Sequence, residues 1–362
     1  MRLLVVFLVV FSVSAAIDIP LPIPIPVKIP DIPLPLDINE LTDAVLEGLF
    51  EQFMKVYNKK YADQAAQSKA LSTFSENVKK IVGLNSAHKD TNVTYGINEF
   101  TDLTDEEFAK KMLQDNPFNS PNFASYAETN FTVNDYQSSP ASFDWRKTAN
   151  VVGPVRNQGS CGCCWAFTTA ALIQSAYGIK YKKLVQPSEQ QICDCGMMNS
   201  QPGCNGGNVG VALKYAVSKG VSLETAYDAY NPSRATKPNV CADSNKPNTI
   251  KIASYKPIRP VSAVEMQPAL VKNGPLAVAF KVGSSFRYYK SGVFNNNDCS
   301  TASTFLGWHA VAVVGYGDEK GTPYWIVKNS WGPSFGESGY VRFVKGTKLC
   351  SLETADVYYA SA

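Results

Sequence analysis

Histidine is almost missing from this 362-residue chain, which holds only His88 and His309. Everything after residue 160 therefore has one imidazole, His309, to serve as a base. Cysteine is missing from the first 160 residues, and all nine cysteines follow Ser160. Past residue 16, no stretch reaches the roughly 18 consecutive apolar residues that a membrane helix needs, so no membrane anchor is expected after processing. The earlier apolar run, Leu3 to Val13, is too short to span a bilayer. Preceded by Arg2 and followed by Ser14-Ala15-Ala16, it reads as a signal peptide over residues 1–16. Cysteines behind such a leader are expected as disulfides of an oxidising compartment.

Charge is unevenly spread. Residues 17–138 carry 10 Lys+Arg against 18 Asp+Glu, a net of −8, and residues 139–362 carry 23 against 13, a net of +10. Opposed blocks in one chain point to an intramolecular partner rather than nucleic acid, although two separately solvated surfaces would give the same counts. If acidic and basic groups pair across the blocks, acid is expected to loosen them.

Residues 17–36 alternate proline with Ile, Leu and Val, as in Ile19-Pro20-Leu21-Pro22-Ile23-Pro24. The alternation mimics a strand, but proline has no N–H for a ladder, so a stiff polyproline II spacer is expected within residues 17–46. Helical periodicity follows. Phe50, Phe53, Tyr57 and Tyr61 form one stripe; Leu71, Phe74, Val78 and Ile81, with Asn77 and Asn85 beside them, form a second. These place packed helices in a unit over 47–115. Residues 116–138, rich in Asn, Ser and Pro, read as an extended linker to a main domain at 139–362. Asn92-Val93-Thr94 and Asn130-Phe131-Thr132 are glycosylation sequons, with Asn92 and Asn130 as acceptors. In the main domain, helical material to about Gly220 is followed after about Lys251 by strand-like runs at 276–282, 310–315, 324–328 and 340–344. A helical half and a β half imply an α+β architecture with a cleft between them.

Chemistry concentrates in Gln158-Gly159-Ser160-Cys161-Gly162-Cys163-Cys164-Trp165, just ahead of an apolar helix-like run from Ala166 to Tyr177. A thiol at such a start meets amide N–H groups and a helix dipole that favour thiolate, which makes Cys164 the candidate nucleophile. Its activation needs an imidazole near in space, and His309 lies 145 residues on. Asn329, in Lys328-Asn329-Ser330-Trp331-Gly332, would accept the other ring N–H of His309 and fix its tautomer.

These motifs resemble the papain-like cysteine peptidases, in which nucleophile and histidine stand roughly 130–150 residues apart. The likeness extends to Asp144-Trp145-Arg146, Pro187-Ser188-Glu189-Gln190-Gln191, Gly203-Cys204-Asn205-Gly206-Gly207, His309-Ala310-Val311 and Gly315-Tyr316-Gly317. It implies a two-lobed fold, one lobe helical and one like a β-barrel, behind a helical inhibitory prodomain. By the same resemblance Gln158 supplies a side-chain oxyanion donor, Cys164 the nucleophile, His309 the general acid and base, and Asn329 the orienting group shielded by Trp331. Disulfides are implied for Cys161 with Cys204, Cys195 with Cys241 and Cys299 with Cys350. Cys163 and Cys193 stay open as a fourth bridge, with Cys163 otherwise a competing thiol. A zinc site from Cys161, Cys163, Cys164, Cys193, Cys195 and Cys204 is the rival reading.

The first unit is similar to the propeptide of the cathepsin L-like branch through Phe74, Asn77, Ile81, Asn85 and Gly96 to Asp102. Ala66 and Ala70 replace the Glu and Arg usual there, which questions the ion pairs that brace it. Along the cleft, Gly206, Gly207 and Trp331 are implied to hold substrate. Asn208, Val209, Ala279, Ala310 and Ala355 would line the pocket for the side chain two residues before the cut, favouring Leu, Val, Phe or Tyr. Lack of paired histidines and of a propeptide cysteine favours endopeptidase action. Trp308, before His309, and Phe335, where a second Trp is frequent, depart from the pattern. The reading is a zymogen of the secretory pathway, bound for a lysosome, vacuole or the exterior. It acts as a monomer on proteins and peptides, with its own propeptide as inhibitor and without metal or cofactor. A catalytically silent binding protein and a thiol acyltransferase are the alternatives.

Overall fold

The computed structural model describes residues 30–35, 37–114, 131–197, 203–233, 241, 249–258 and 262–362. The signal-peptide reading, most of the proline-rich segment, most of the linker and Asn130 lie outside them. No described helix is long and apolar enough to cross a membrane.

The first unit holds α1 (Asp43–Val56), α2 (Gln64–Ala87), β1 (Thr94–Tyr95) and α3 (Asp105–Met112). Side-chain caps start each helix: Thr42 for α1, Asp63 for α2 and a Thr104/Glu107 capping box for α3. Asn58 turns left-handed at φ 49°, so α1 stops before Tyr61. Tyr61 still packs on Phe50, whose ring also meets Phe74 at 5.3 Å. The ion pairs lost with Ala66 and Ala70 have a substitute, since Asp102 takes the Lys59 ammonium at 2.8 Å and the Tyr61 hydroxyl at 2.9 Å. Asn77 adds two bonds of 2.8 Å to the Thr101 and Leu103 carbonyls. In the proline-rich segment, Ile32 is buried against this unit's core, so the described part packs rather than hanging free as a spacer.

Residues 131–138 are not extended, contrary to the sequence expectation. A Thr132/Asp135 capping box opens a short helix, α4 (Val133–Gln137), and Asp135 pairs with Lys272 at 2.9 Å. Strand β2 (Phe143–Asp144) follows.

The helical lobe comprises α5 (Cys164–Tyr181), α6 (Glu189–Cys195) and α7 (Val209–Ser218), with β3 (Val221–Ser222) paired to β4 (Thr249–Ile250). Thirteen of the 18 residues of α5 are buried, so it carries no amphipathic stripe and forms the spine of the lobe. The other lobe contains β5 (Ser254–Ile258), α8 (Ala263–Asn273), β6 (Leu276–Gly283), β7 (Tyr289–Ser291), β8 (Val293–Phe294), β9 (Phe305–Glu319), β10 (Thr322–Lys328), β11 (Tyr340–Val344) and β12 (Val357–Ser361). The sheet runs β5-β12-β6-β9-β10-β11-β8, with β2 on β9, and is antiparallel except for β8 on β11.

Residue size alternates along β6 and β9. Ala277, Ala279, Ala310 and Ala312 face the helical lobe, while Val278, Phe280, Val311 and Val313 join the core on the opposite face. Small side chains on one face let α5 approach the sheet closely, which brings the two walls of the cleft together. The opposite core continues without a break into the first unit, uniting Phe286, Trp331 and Phe335 with Phe74, Phe100 and Phe108.

Candidate active site

Cys164 is the first residue of α5 and His309 lies in β9, opposite Phe280 of β6. The Ala310 N–H, next in chain to His309, donates to the Cys164 sulfur at 3.4 Å, so the two walls meet at the predicted pair. His309 Nε2 lies 2.7 Å from Asn329 Oδ1, and the same oxygen accepts the Ser330 N–H at 2.8 Å. The second bond identifies the oxygen end of the amide, so Nε2 must carry the hydrogen and the neutral ring has a bare Nδ1. Among the described residues, no group hydrogen-bonds to Nδ1. Trp331 lies over the ring, with centroids 4.6 Å apart. The Gln158 side-chain oxygen accepts the Ser330 hydroxyl at 2.7 Å, which turns its NH2 toward the cleft.

The cleft is filled by the chain itself. Gln158 Nε2 donates to the Met112 carbonyl at 3.0 Å. Two residues on, Gln114 forms a backbone bridge with Trp308 through bonds of 3.2 and 2.9 Å, and its side-chain oxygen accepts the Gly207 N–H at 2.7 Å. Phe108 and Phe100 stand edge-on to Trp331, at 5.4 and 5.6 Å. Under this cover Cys164 and His309 have no exposed surface. Burial pushes the thiol up to about 12 against the pull of three backbone N–H groups, and drives the imidazole down to about 4. The docked pair is therefore thiol and neutral imidazole.

Residues 139–360 match the Papain family cysteine protease pattern, and residues 50–108 match the Cathepsin propeptide inhibitor domain. The chain belongs to the papain family of cysteine proteases. It is similar to Pro-cathepsin H of Bos taurus, 34% identical over 84% of this chain and 87% of that one. It is also similar to a Cathepsin L-like proteinase of Phaedon cochleariae, 34% identical over 89% and 95%. Among solved structures, a recombinant stem bromelain precursor superposes with a TM-score of 0.75 at 34% identity, covering 87% of this chain and 98% of that chain. The protease is thus made as a zymogen whose own propeptide is the inhibitor, and similarity is shared between H-like and L-like relatives.

In this papain-family precursor the implied disulfides form as Cys161–Cys204, Cys195–Cys241 and Cys299–Cys350. Cys163 pairs with Cys193, which removes it as a competing thiol and leaves Cys164 free and buried. Apart from Cys164, every sulfur of the zinc alternative is taken up in these bonds. Val209, Ala279 and Ala310 are fully buried in one apolar cluster, with Ala355 at its edge. The Asn208 side chain caps α7, its oxygen accepting the Val211 N–H at 3.0 Å. At Gly207 a Cβ would fall 2.3 Å from the Trp165 indole, so only glycine keeps that N–H at the cleft floor. Phe335 packs on Trp331 at 4.8 Å. Ser330 has no role legible from sequence alone. Its position inside Asn329-Ser330-Trp331-Gly332 was visible, but its hold on both Asn329 and Gln158 depends on the fold. Asn92 is exposed and bonds to Glu319, and its Oδ1 accepts the Val293 N–H at 3.1 Å, tying the sequon to the main domain.

Proposed function

We propose that the released enzyme is an endopeptidase working through a Cys164 thioester. His309 Nδ1 takes the thiol proton, and the thiolate attacks the peptide carbonyl. The Gln158 NH2 and the Cys164 backbone N–H hold the resulting oxyanion. The C–N bond breaks as His309 returns its proton to the leaving amine. Water, deprotonated by His309, then attacks the thioester, the C–S bond breaks and the thiol is restored. The observation that carries this reading is the pair of hydrogen bonds accepted by Asn329 Oδ1, one from His309 Nε2 and one from the Ser330 N–H, which leaves the Nδ1 lone pair to take a proton.

The cluster of Val209, Ala279, Ala310 and Ala355 favours Leu, Val, Phe or Tyr two residues before the cut, along the Gly206 to Asn208 end of the cleft. Four disulfides and the signal-like N-terminus support passage through the secretory pathway to a lysosome, a vacuole or the exterior.

The test is an epoxide label at Cys164 of the activated enzyme, followed by digestion of a peptide library. Labelling with internal cleavage after an apolar residue at the second position supports the reading. No label indicates a silent binding protein, and label without cleavage indicates a transferase. Cys164→Ser is expected to abolish cleavage with the fold kept, and Gln158→Ala to lower turnover roughly 10- to 1,000-fold. Undiminished turnover in either variant would remove that residue from the site.

A further inference from the structure

Arg287, in the turn leading into β7, is fully buried, yet its partners belong almost entirely to the prodomain. Nη1 donates to the Leu103 and Thr104 carbonyls at 3.0 and 3.2 Å, and Nη2 donates to Asn77 Oδ1 at 2.9 Å. The Asp105 carboxylate lies 3.1 Å from Nη2. Among the described residues of the main domain, only the adjacent Tyr288 hydroxyl bonds to it, and Nε has no partner among the described residues. When the prodomain leaves, the guanidinium keeps its charge and loses a carboxylate and three acceptors. Those donors are then open to water or to another anion, and a planar guanidinium suits a carboxylate.

Its place in the cleft identifies where that anion would come from. The Phe108 ring lies 5.7 Å from the guanidinium and 5.4 Å from Trp331, so one prodomain ring covers both. Phe286, the preceding residue, packs on Trp331 at 5.6 Å, and Trp331 lies on His309. The same prodomain run passes from Phe108 at Arg287 to Met112 at Gln158 and then to Gln114 at Gly207, so Gly207 lies at the other end of the cleft. Under the proposed function, residues before the cut occupy the Gly207 end. The leaving fragment then passes Trp331 and comes to Arg287.

We propose that Arg287 makes the released enzyme selective for an acidic side chain in the first few residues after the scissile bond. Asp105 of the prodomain is the carboxylate that holds this position in the zymogen. A planar guanidinium beside an apolar wall suits a two-point contact with a carboxylate and rejects a lysine there. This inference rests on the endopeptidase reading and adds the chemistry of the leaving side.

The experiment uses the enzyme activated from the full-length precursor, with active sites counted by epoxide titration. Amidated fluorogenic peptides carry Glu or Gln at each of the first few positions after the cut, at about pH 6, where a peptide carboxylate is ionised. At one position kcat/KM is expected to be roughly threefold to tenfold higher for Glu, falling as salt is added. Arg287→Gln should bring that ratio to about one by slowing the Glu peptide alone, and Arg287→Glu should shift preference to Lys. A wild-type ratio near one at every position overturns the proposal, as does a ratio that Arg287→Gln leaves intact. If the variants do not fold, a wild-type preference that ignores salt overturns it equally. A preference seen only in peptides with a free C-terminal carboxylate overturns the side-chain assignment. Cleavage of none of the peptides would instead sink the endopeptidase reading.

Discussion

The thiol of Cys164 has two personalities, set by whether water can reach it. At the head of α5, backbone N–H groups favour the anion, but in the docked zymogen burial outweighs them and lifts the thiol to about 12. The same burial holds His309 near 4, so neither charge of a thiolate–imidazolium pair forms. Raised acid and lowered base both mean loss of the charged form, and conversion of the neutral pair to the ion pair changes no proton count. Iodoacetamide should therefore modify Cys164 slowly in the intact precursor at about pH 7, and at least about 100-fold faster after activation. Equal rates would show that the thiol is reachable while covered. The nucleophile, its base and its orienting amide were legible because their neighbours in sequence carry the pattern. Ser330, Arg287 and the Met112 carbonyl were not, because each acts on a group more than forty residues away.

At the scale of elements, strands β6, β9, β10 and β11 were readable as runs of Val, Ile and aromatics, since a buried strand needs little else. Helix α8 was hidden by Pro268 within it, and β5 by its Pro257. The two stripes of the first unit were clear, and only their ends were misplaced, where Asn58 closes α1 before Tyr61. Less legible was the division of labour on β6 and β9, where alanine reads as a weak strand former. In the fold it sets the distance between lobes. Ala277→Leu, at a position with no exposed surface, should destabilise the chain by about 1–3 kcal/mol through overpacking. An unchanged denaturation midpoint would show that the lobes have slack.

For the whole molecule, the charge split promised more than the junction uses. Among the described residues, three acid–base pairs cross from residues 30–138 to the main domain: Asp31–Lys290, Asp105–Arg287 and Asp135–Lys272. The Lys272 ammonium, with Thr132, holds Asp135 near 2, so that pair is complete above the ordinary carboxylate range and weakens only as pH falls toward 2. Glu99 works in the opposite sense. Burial raises its carboxyl against the pull of Lys59 and Ser334, so its ionised form penalises docking at neutral pH and protonation relieves this in acid. Glu99→Gln should slow self-activation of the full chain at about pH 7 and leave it unchanged at about pH 4. Faster activation of the variant at neutral pH would reverse the assigned sign. Holding the prodomain thus falls chiefly to the shared aromatic core around Trp331, which pH does not titrate. That core has a further consequence once Gln114, seated in the cleft, is considered with α4, seated on α8. A cut between them breaks no contact at either seat. It turns a tethered neighbour, present at a fixed local molarity, into a separate molecule obeying mass action. The same nicked protein is then latent where crowded and active where dilute, so the volume into which it is delivered becomes the trigger.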